Sequence, residues 1–181
     1  MTLRMHMTIA VFLAVSAFQA HAQNSDISGS NPAFEHARLI KIGYDGAHLA
    51  HSLQYHQART MLALIGGYTR YDYSERITEN NWFFSQIEEL ELQLPRMRRS
   101  AERLRVSEEN RLNLDTLFDE LETLLGASRK VHAAIKGGDL EEANRLYNEV
   151  IDVPYNAAVG AAHTLISNND KAITMIRLRE K

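Results

Sequence analysis

Phe83, Ile87, Leu90, Leu94, Met97, Ala101 and Leu104 are separated by alternating steps of four and three residues. That spacing keeps apolar side chains on one stripe of an α-helix, and a stripe of this length is buried well only by other helices lying alongside it. A second seam repeats the pattern: Leu114, Leu117, Leu121, Leu124, Ser128, Val131 and Ile135, widened on one side by Phe118, Leu125 and His132. Strand signals are absent, with no alternating β-branched runs and no Asn-Gly hairpin. The seams therefore constrain the chain to helices packed lengthwise.

Punctuation divides the chain into four such helices. Asn31-Pro32 offers an N-cap with proline at the first helical position, and Gly66-Gly67 stops the first helix. Asp72 and Glu75 are spaced as an acidic capping pair that opens the second helix. Pro95 falls inside that helix and predicts a kink near residues 92–94. Ser107 caps the third helix and Gly137-Gly138 ends it. Asp139 with Glu142 opens a fourth, expected to run from Leu140 to near the C-terminus with an early bend at Pro154. Its run AAVGAA (157–162) is small enough to let a neighbouring backbone come close. Helices of about 30 residues joined by short turns predict an all-α, antiparallel up-down-up-down four-helix bundle over residues 31–181, about 45 Å tall.

The N-terminus carries an address. Arg4, the apolar run Met7–Phe18 and the small-x-small triplet Ala20-His21-Ala22 read as a secretory signal peptide over residues 1–22. The rival reading is an uncleaved inner-membrane anchor, although the run falls short of the roughly 20 residues a span needs. Residues 23–30 (QNSDISGS) read as a flexible linker. The expected location is the periplasm. The chain has no cysteine, so stability rests on the core and thiol chemistry is excluded. Without Arg4 there remain 19 basic and 23 acidic residues, a formal charge of −4, which argues against a nucleic-acid surface. The arginines at 96, 98, 99, 103 and 105 are interleaved with and followed by Glu102, Glu108 and Glu109, as on a solvated helix face.

The stretch HLAHSLQYH (48–56) raises the question of a metal. At 100° per residue, His48 and His51 share a face with Tyr44, Tyr55 and Leu62, and Arg59 falls beside His48. His56 points about 80° away from His48 and about 140° from His51. A metal site could recruit His132 or His163 from other helices, but counting from the turns places them roughly 15 Å and 12 Å from the level of His51. No Glu-x-x-His pair and no Cys-x-x-Cys-His motif is present, so neither a di-iron site nor covalent haem is expected, and no cofactor is implied. Three readings of the helix 1 residues remain. One is imidazoles that are partly exposed or satisfied in the core and hold nothing. The second is a metal-binding bundle using His48 and His51. The third is a polar stripe, His48, His51, Tyr55 and Arg59, that lines a small-molecule pocket or a dimer seam. Arginine suits a carboxylate because its planar fork donates two hydrogen bonds. No phosphate loop, nucleophile elbow or paired-carboxylate cleft is recognisable, so an enzyme is not expected.

Residues 138–172, GDLEEANRLYNEVIDVPYNAAVGAAHTLISNNDKA, resemble the last helix of the four-helix-bundle sensor domain of methyl-accepting chemotaxis receptors. The resemblance rests on Gly138-Asp139, Glu142-Ala143, Val153-Pro154-Tyr155, Leu165 with Asn169, and Ala172. The bundle layout extends it over residues 33–178. It implies an extracytoplasmic, non-enzymatic sensor that dimerises or works through a membrane receptor partner. It also implies a small-molecule ligand between helices in the membrane-distal half, with Arg59 meeting a ligand carboxylate and Tyr55 and Tyr147 nearby. A receptor of that family continues into a second membrane helix and a cytoplasmic module. This sequence stops at RLREK (177–181), so the expectation is a free sensor-like protein or a truncated receptor.

Overall fold

The computed structural model describes residues 31–65 and 73–179. The signal segment, the linker, Gly66-Gly67 and the Asp72 cap lie outside the described residues. Five helices follow one another: α1 (Pro32–Ile65), α2 (Tyr73–Glu102), α3 (Glu108–Gly137), α4 (Leu140–Val150) and α5 (Asp152–Arg179). Among the described residues there is no strand, and no helix is long and apolar enough to cross a membrane.

The caps act where the sequence puts them. Asn31 Oδ1 accepts from the Ala33 amide at 3.0 Å, and Ser107 accepts from Asn110 at the start of α3. Asp139 accepts from Glu142 at 3.0 Å, opening α4. Gly138 closes α3 with φ +78°, a left-handed conformation that a Cβ would strain. α2 runs unbroken through Pro95.

The fourth arm differs from expectation. It does not bend at Pro154 but breaks three residues earlier, at Ile151, into α4 and α5. The pyrrolidine ring crowds the carbonyl four residues back, at Val150, and donates nothing to it. Restarting the helix at Asp152 puts Pro154 in the first turn, where its amide would have had no helical partner. Ile151 is fully buried, so the break is held by the core.

Side-chain pairs between helices give their directions. Ser52 meets Gln86, Arg38 meets Ser100, and Thr60 donates to the Glu79 carbonyl, so numbers rise on α1 as they fall on α2. The same reversal links α2 with α3 (Glu91 with Arg129, Arg98 with Asp119) and α1 with α5 (His51 with Tyr155, His36 with Asn169). α1 and α3 run in one direction, Gly46 lying against Leu117 and Gln57 against Ser128. The arrangement is an up-down-up-down bundle whose fourth arm is α4 plus α5.

Both seams form the core. Every residue of the first is buried, and so is every residue of the second except the half-buried Ile135. At the N-terminal end of α1, a fully hydrogen-bonded polar knot crosses the core. Asn110 and Asn169 exchange two amide hydrogen bonds at 3.2 Å, and Asn169 also donates to the Leu165 carbonyl at 2.7 Å. His36 Nδ1 lies 2.6 Å from Asn169 Oδ1, which can only accept, so this nitrogen carries the proton. The knot joins α1, α3 and α5 in one register.

The small-residue run on α5 does admit a close neighbour, and that neighbour is Gly43 of α1. A Cβ there would lie 2.8 Å from Ile166 and 2.9 Å from the Ala162 carbonyl. Gly160, within the run, faces open space. Gly43→Ala is therefore expected to destabilise by about 1–2 kcal/mol, because overpacking outweighs the helix preference for alanine. Gly160→Ala should stabilise by about 0.5–1 kcal/mol. Urea unfolding of the two variants measures the contrast, and equal effects would contradict the close approach.

Candidate functional site

The stripe of α1 is present, but its members have different partners. His48 is exposed. His51, also exposed, is hydrogen-bonded through Nδ1 to the Tyr155 hydroxyl at 2.7 Å, with the rings edge to face. Tyr55 and Arg59 form a pair: the guanidinium donates to the Tyr55 hydroxyl at 3.0 Å and lies 5.7 Å from the ring centre. Arg59 also meets Glu79 of α2 in an ion pair of 2.5 Å, and the Glu79 side chain is only 4% exposed. A carboxylate of the chain itself thus occupies the fork that the sequence suggested for a ligand carboxylate.

Tyr147 lies on α4, half-buried against the core. Burial, then the nearby Asp152 charge, pushes its hydroxyl pKa up. Extending the α1–α5 register into α4 brings Tyr147 level with Arg59.

The histidine heights follow the count from the turns. His163 is eight residues from Tyr155, the partner of His51, which is about 12 Å along the axis. The α1–α3 register sets His132 level with Met61, about 15 Å beyond His51. Among the described residues, no three of His, Asp and Glu are grouped so as to hold a metal ion.

His132 is instead packed among aromatics. It stacks on Phe84 with centroids 4.9 Å apart and meets Phe83 edge-on at 5.9 Å. Burial, then the Lys136 charge, lowers its pKa from the ordinary 6.5. The folded chain then holds this proton less tightly than the unfolded chain. The contribution to stability is full above pH 6.5 and is lost as pH falls below that value. Melting temperature followed from pH 8 to 5 should drop less steeply below about 6.5 in His132→Gln than in the parent, and parallel curves would remove the assignment.

The most unusual feature lies where the C-terminal turns of α1 face the N-terminal turns of α2. Among the described residues, buried polar atoms without a hydrogen-bond partner gather there, among them His56 Nδ1, Gln57 Nε2, Arg76 Nε, Glu79 Oε2 and Asn80 Oδ1. Gln57 and Glu79 are buried as whole residues. Thr60 donates to the carbonyls of His56 and Glu79, and Ser128 donates to Gln57 Oε1. Orphaned buried polar atoms are rare in folded proteins and call for a specific explanation. Here they are gathered in one slab rather than scattered.

Sequence reasoning missed Gln57, Arg76, Glu79 and Asn80. One signal was available: Glu79 stands four residues before Phe83, on the backward extension of the first seam, so its carboxylate sits where the helix faces the core. No protein-family model, curated protein or solved structure matches the chain.

Proposed function

We propose that this chain is a non-enzymatic, extracytoplasmic sensor-type bundle that binds a small polar molecule between α1 and α2 and transmits the bound state through a dimer or a membrane receptor partner. The observation that supports it is the gathering of unpartnered buried polar atoms on residues 56–57 and 76–80. Each such atom costs about 1–3 kcal/mol if it stays unsatisfied, so a molecule that satisfies several of them has a ready source of affinity. Arg59 and Tyr55 form the rim of this region through their contacts with each other and with Glu79. His51, His48 and Tyr147 are its outer candidates, at neighbouring levels of α1 and α4. The likeness of residues 138–172 to chemotaxis-receptor sensor domains supports the same reading, as does the secretory look of residues 1–22.

A metal reading of His48 and His51 has less support, because among the described residues no third His, Asp or Glu is grouped with them.

Thermal unfolding against a panel of amines, amino acids, organic acids and polyols tests the proposal. A ligand that prefers the folded chain adds about 2.7 kcal/mol at one hundred times its Kd, which raises the melting temperature by several degrees in a chain of this size. A panel without a single shift would end the proposal.

A further inference from the structure

The positive charge of the bundle collects at one end. That end holds the start of α1 (32–38), the α2–α3 junction (96–111) and the last turns of α5 (170–179), tied together by the polar knot and by the Arg38–Ser100 contact. These segments carry ten Lys and Arg against five Asp and Glu, while the rest of the chain carries ten against eighteen. The five acids are Glu35, Glu102, Glu108, Glu109 and Asp170, and they do not neutralise the cations pairwise. Among the described residues, Arg98 alone of the ten is held in an ion pair, and its partners Asp119 and Glu122 lie outside this end. Steps of three and four residues put Arg96 and Arg99 on one exposed stripe of α2, with Arg103 and Arg105 exposed just past its end.

α5 reaches farther than its neighbours. The pairs His51–Tyr155 and His36–Asn169 set Pro32 level with residue 173 or 174, so α5 runs about 8 Å beyond the first residue of α1. Its last turns carry Arg177 and Arg179 beside Met175 and Leu178, whose apolar side chains are more than half exposed.

We infer that this end of the bundle seats on an anionic phospholipid surface. The arginines meet lipid phosphates, while Met175 and Leu178 dip among the headgroups with the Arg177 and Arg179 heads kept in water beside them. Two observations favour lipid over a soluble polyanion. Exposed apolar tips gain nothing from a phosphate chain in water, but a headgroup layer removes them from water. The rest of the chain has a formal charge of −8, which repels a polyanion lying along the bundle, whereas a flat surface meets the end alone. An uncleaved apolar run 7–18 would turn the same face to the bilayer, because α1 begins there. The inference is independent of the small-molecule reading between α1 and α2.

Flotation of the full chain with vesicles tests it. Binding to an equal mixture of phosphatidylcholine and phosphatidylglycerol should exceed binding to phosphatidylcholine alone by about tenfold or more, and about 0.5 M salt should remove the difference. Each basic residue near an anionic surface is worth about fivefold in affinity, so Arg99→Gln/Arg103→Gln/Arg105→Gln should weaken binding to the mixed vesicles by on the order of a hundredfold. Met175→Ser/Leu178→Ser should weaken it by about tenfold and leave binding to heparin, a soluble polyanion, unchanged. Equal affinity for the two vesicle types, or a triple variant that binds as the parent does, would overturn the inference. Heparin binding that matches the mixed vesicles, with Met175→Ser/Leu178→Ser unchanged on both, would mean a site for polyanions in general and would overturn the lipid assignment. Should the triple variant fail to fold, the Met175→Ser/Leu178→Ser comparison and the vesicle and salt series on the unsubstituted chain still decide.

Discussion

Phe83→Ala should lower the unfolding free energy by about 3–5 kcal/mol, more than any other single truncation considered. Phe83 has no exposed surface and meets the His132 ring edge-on. Truncation removes the transfer free energy of a full aromatic side chain and leaves a cavity. The buried residues of the same core, among them Ile87 and Leu53, sit on long helices that cannot collapse inward locally. For a chain of this size the melting temperature should fall by about 6–20 °C. Leu92, on the same helix but half-exposed, supplies the control: Leu92→Ala should stay within about 0.5 kcal/mol of the parent. The two substitutions remove apolar side chains nine residues apart, so helix propensity does not separate them. Similar losses in a urea titration would mean that α2 does not present the Phe83 stripe to the core.

The fold was legible because periodicity is local. Whether Leu117 or Leu121 faces inward depends on neighbours three and four positions away, and the alternating seam already contains those. The levels of His132 and His163 were legible for a related reason. Helix rise is constant, so counting from shared turns gives a height without knowledge of contacts. The Ile151 break was not legible. Proline announces that a helix must adjust, but whether it bends at the ring or restarts upstream depends on what the core will hold, here a buried isoleucine.

The polar interior was harder still. Glu79 and Asn110 both sit one helical step outside an apolar seam, Glu79 before Phe83 and Asn110 before Leu114. At such a margin a polar residue can end the seam or continue it in buried form. Only the partner decides, and the partners are remote: Arg59 lies 20 residues from Glu79, and Asn169 lies 59 from Asn110. Pairing at that range is a property of the assembled bundle. The arginine of the stripe was legible as a chemical group. Its engagement with a carboxylate of the same chain was not.

That engagement yields the second large effect. Arg59→Met should destabilise the chain by about 2–3 kcal/mol, because it leaves the Glu79 carboxylate buried with its charge unbalanced. Fully buried pairs lose about 3–5 kcal/mol when one partner is removed. The Arg59 side chain is 36% exposed, so water reaches the vacated position and reduces the loss. Tyr55→Phe removes only a hydroxyl contact on a half-exposed ring and should change stability by less than about 1 kcal/mol. The double substitution Arg59→Met with Glu79→Met separates charge from packing. Two apolar side chains of similar volume make no uncompensated charge, so the pair should return to within about 1 kcal/mol of the parent. A double variant no more stable than Arg59→Met would show that the loss comes from contacts of the arginine stem rather than from the orphaned carboxylate.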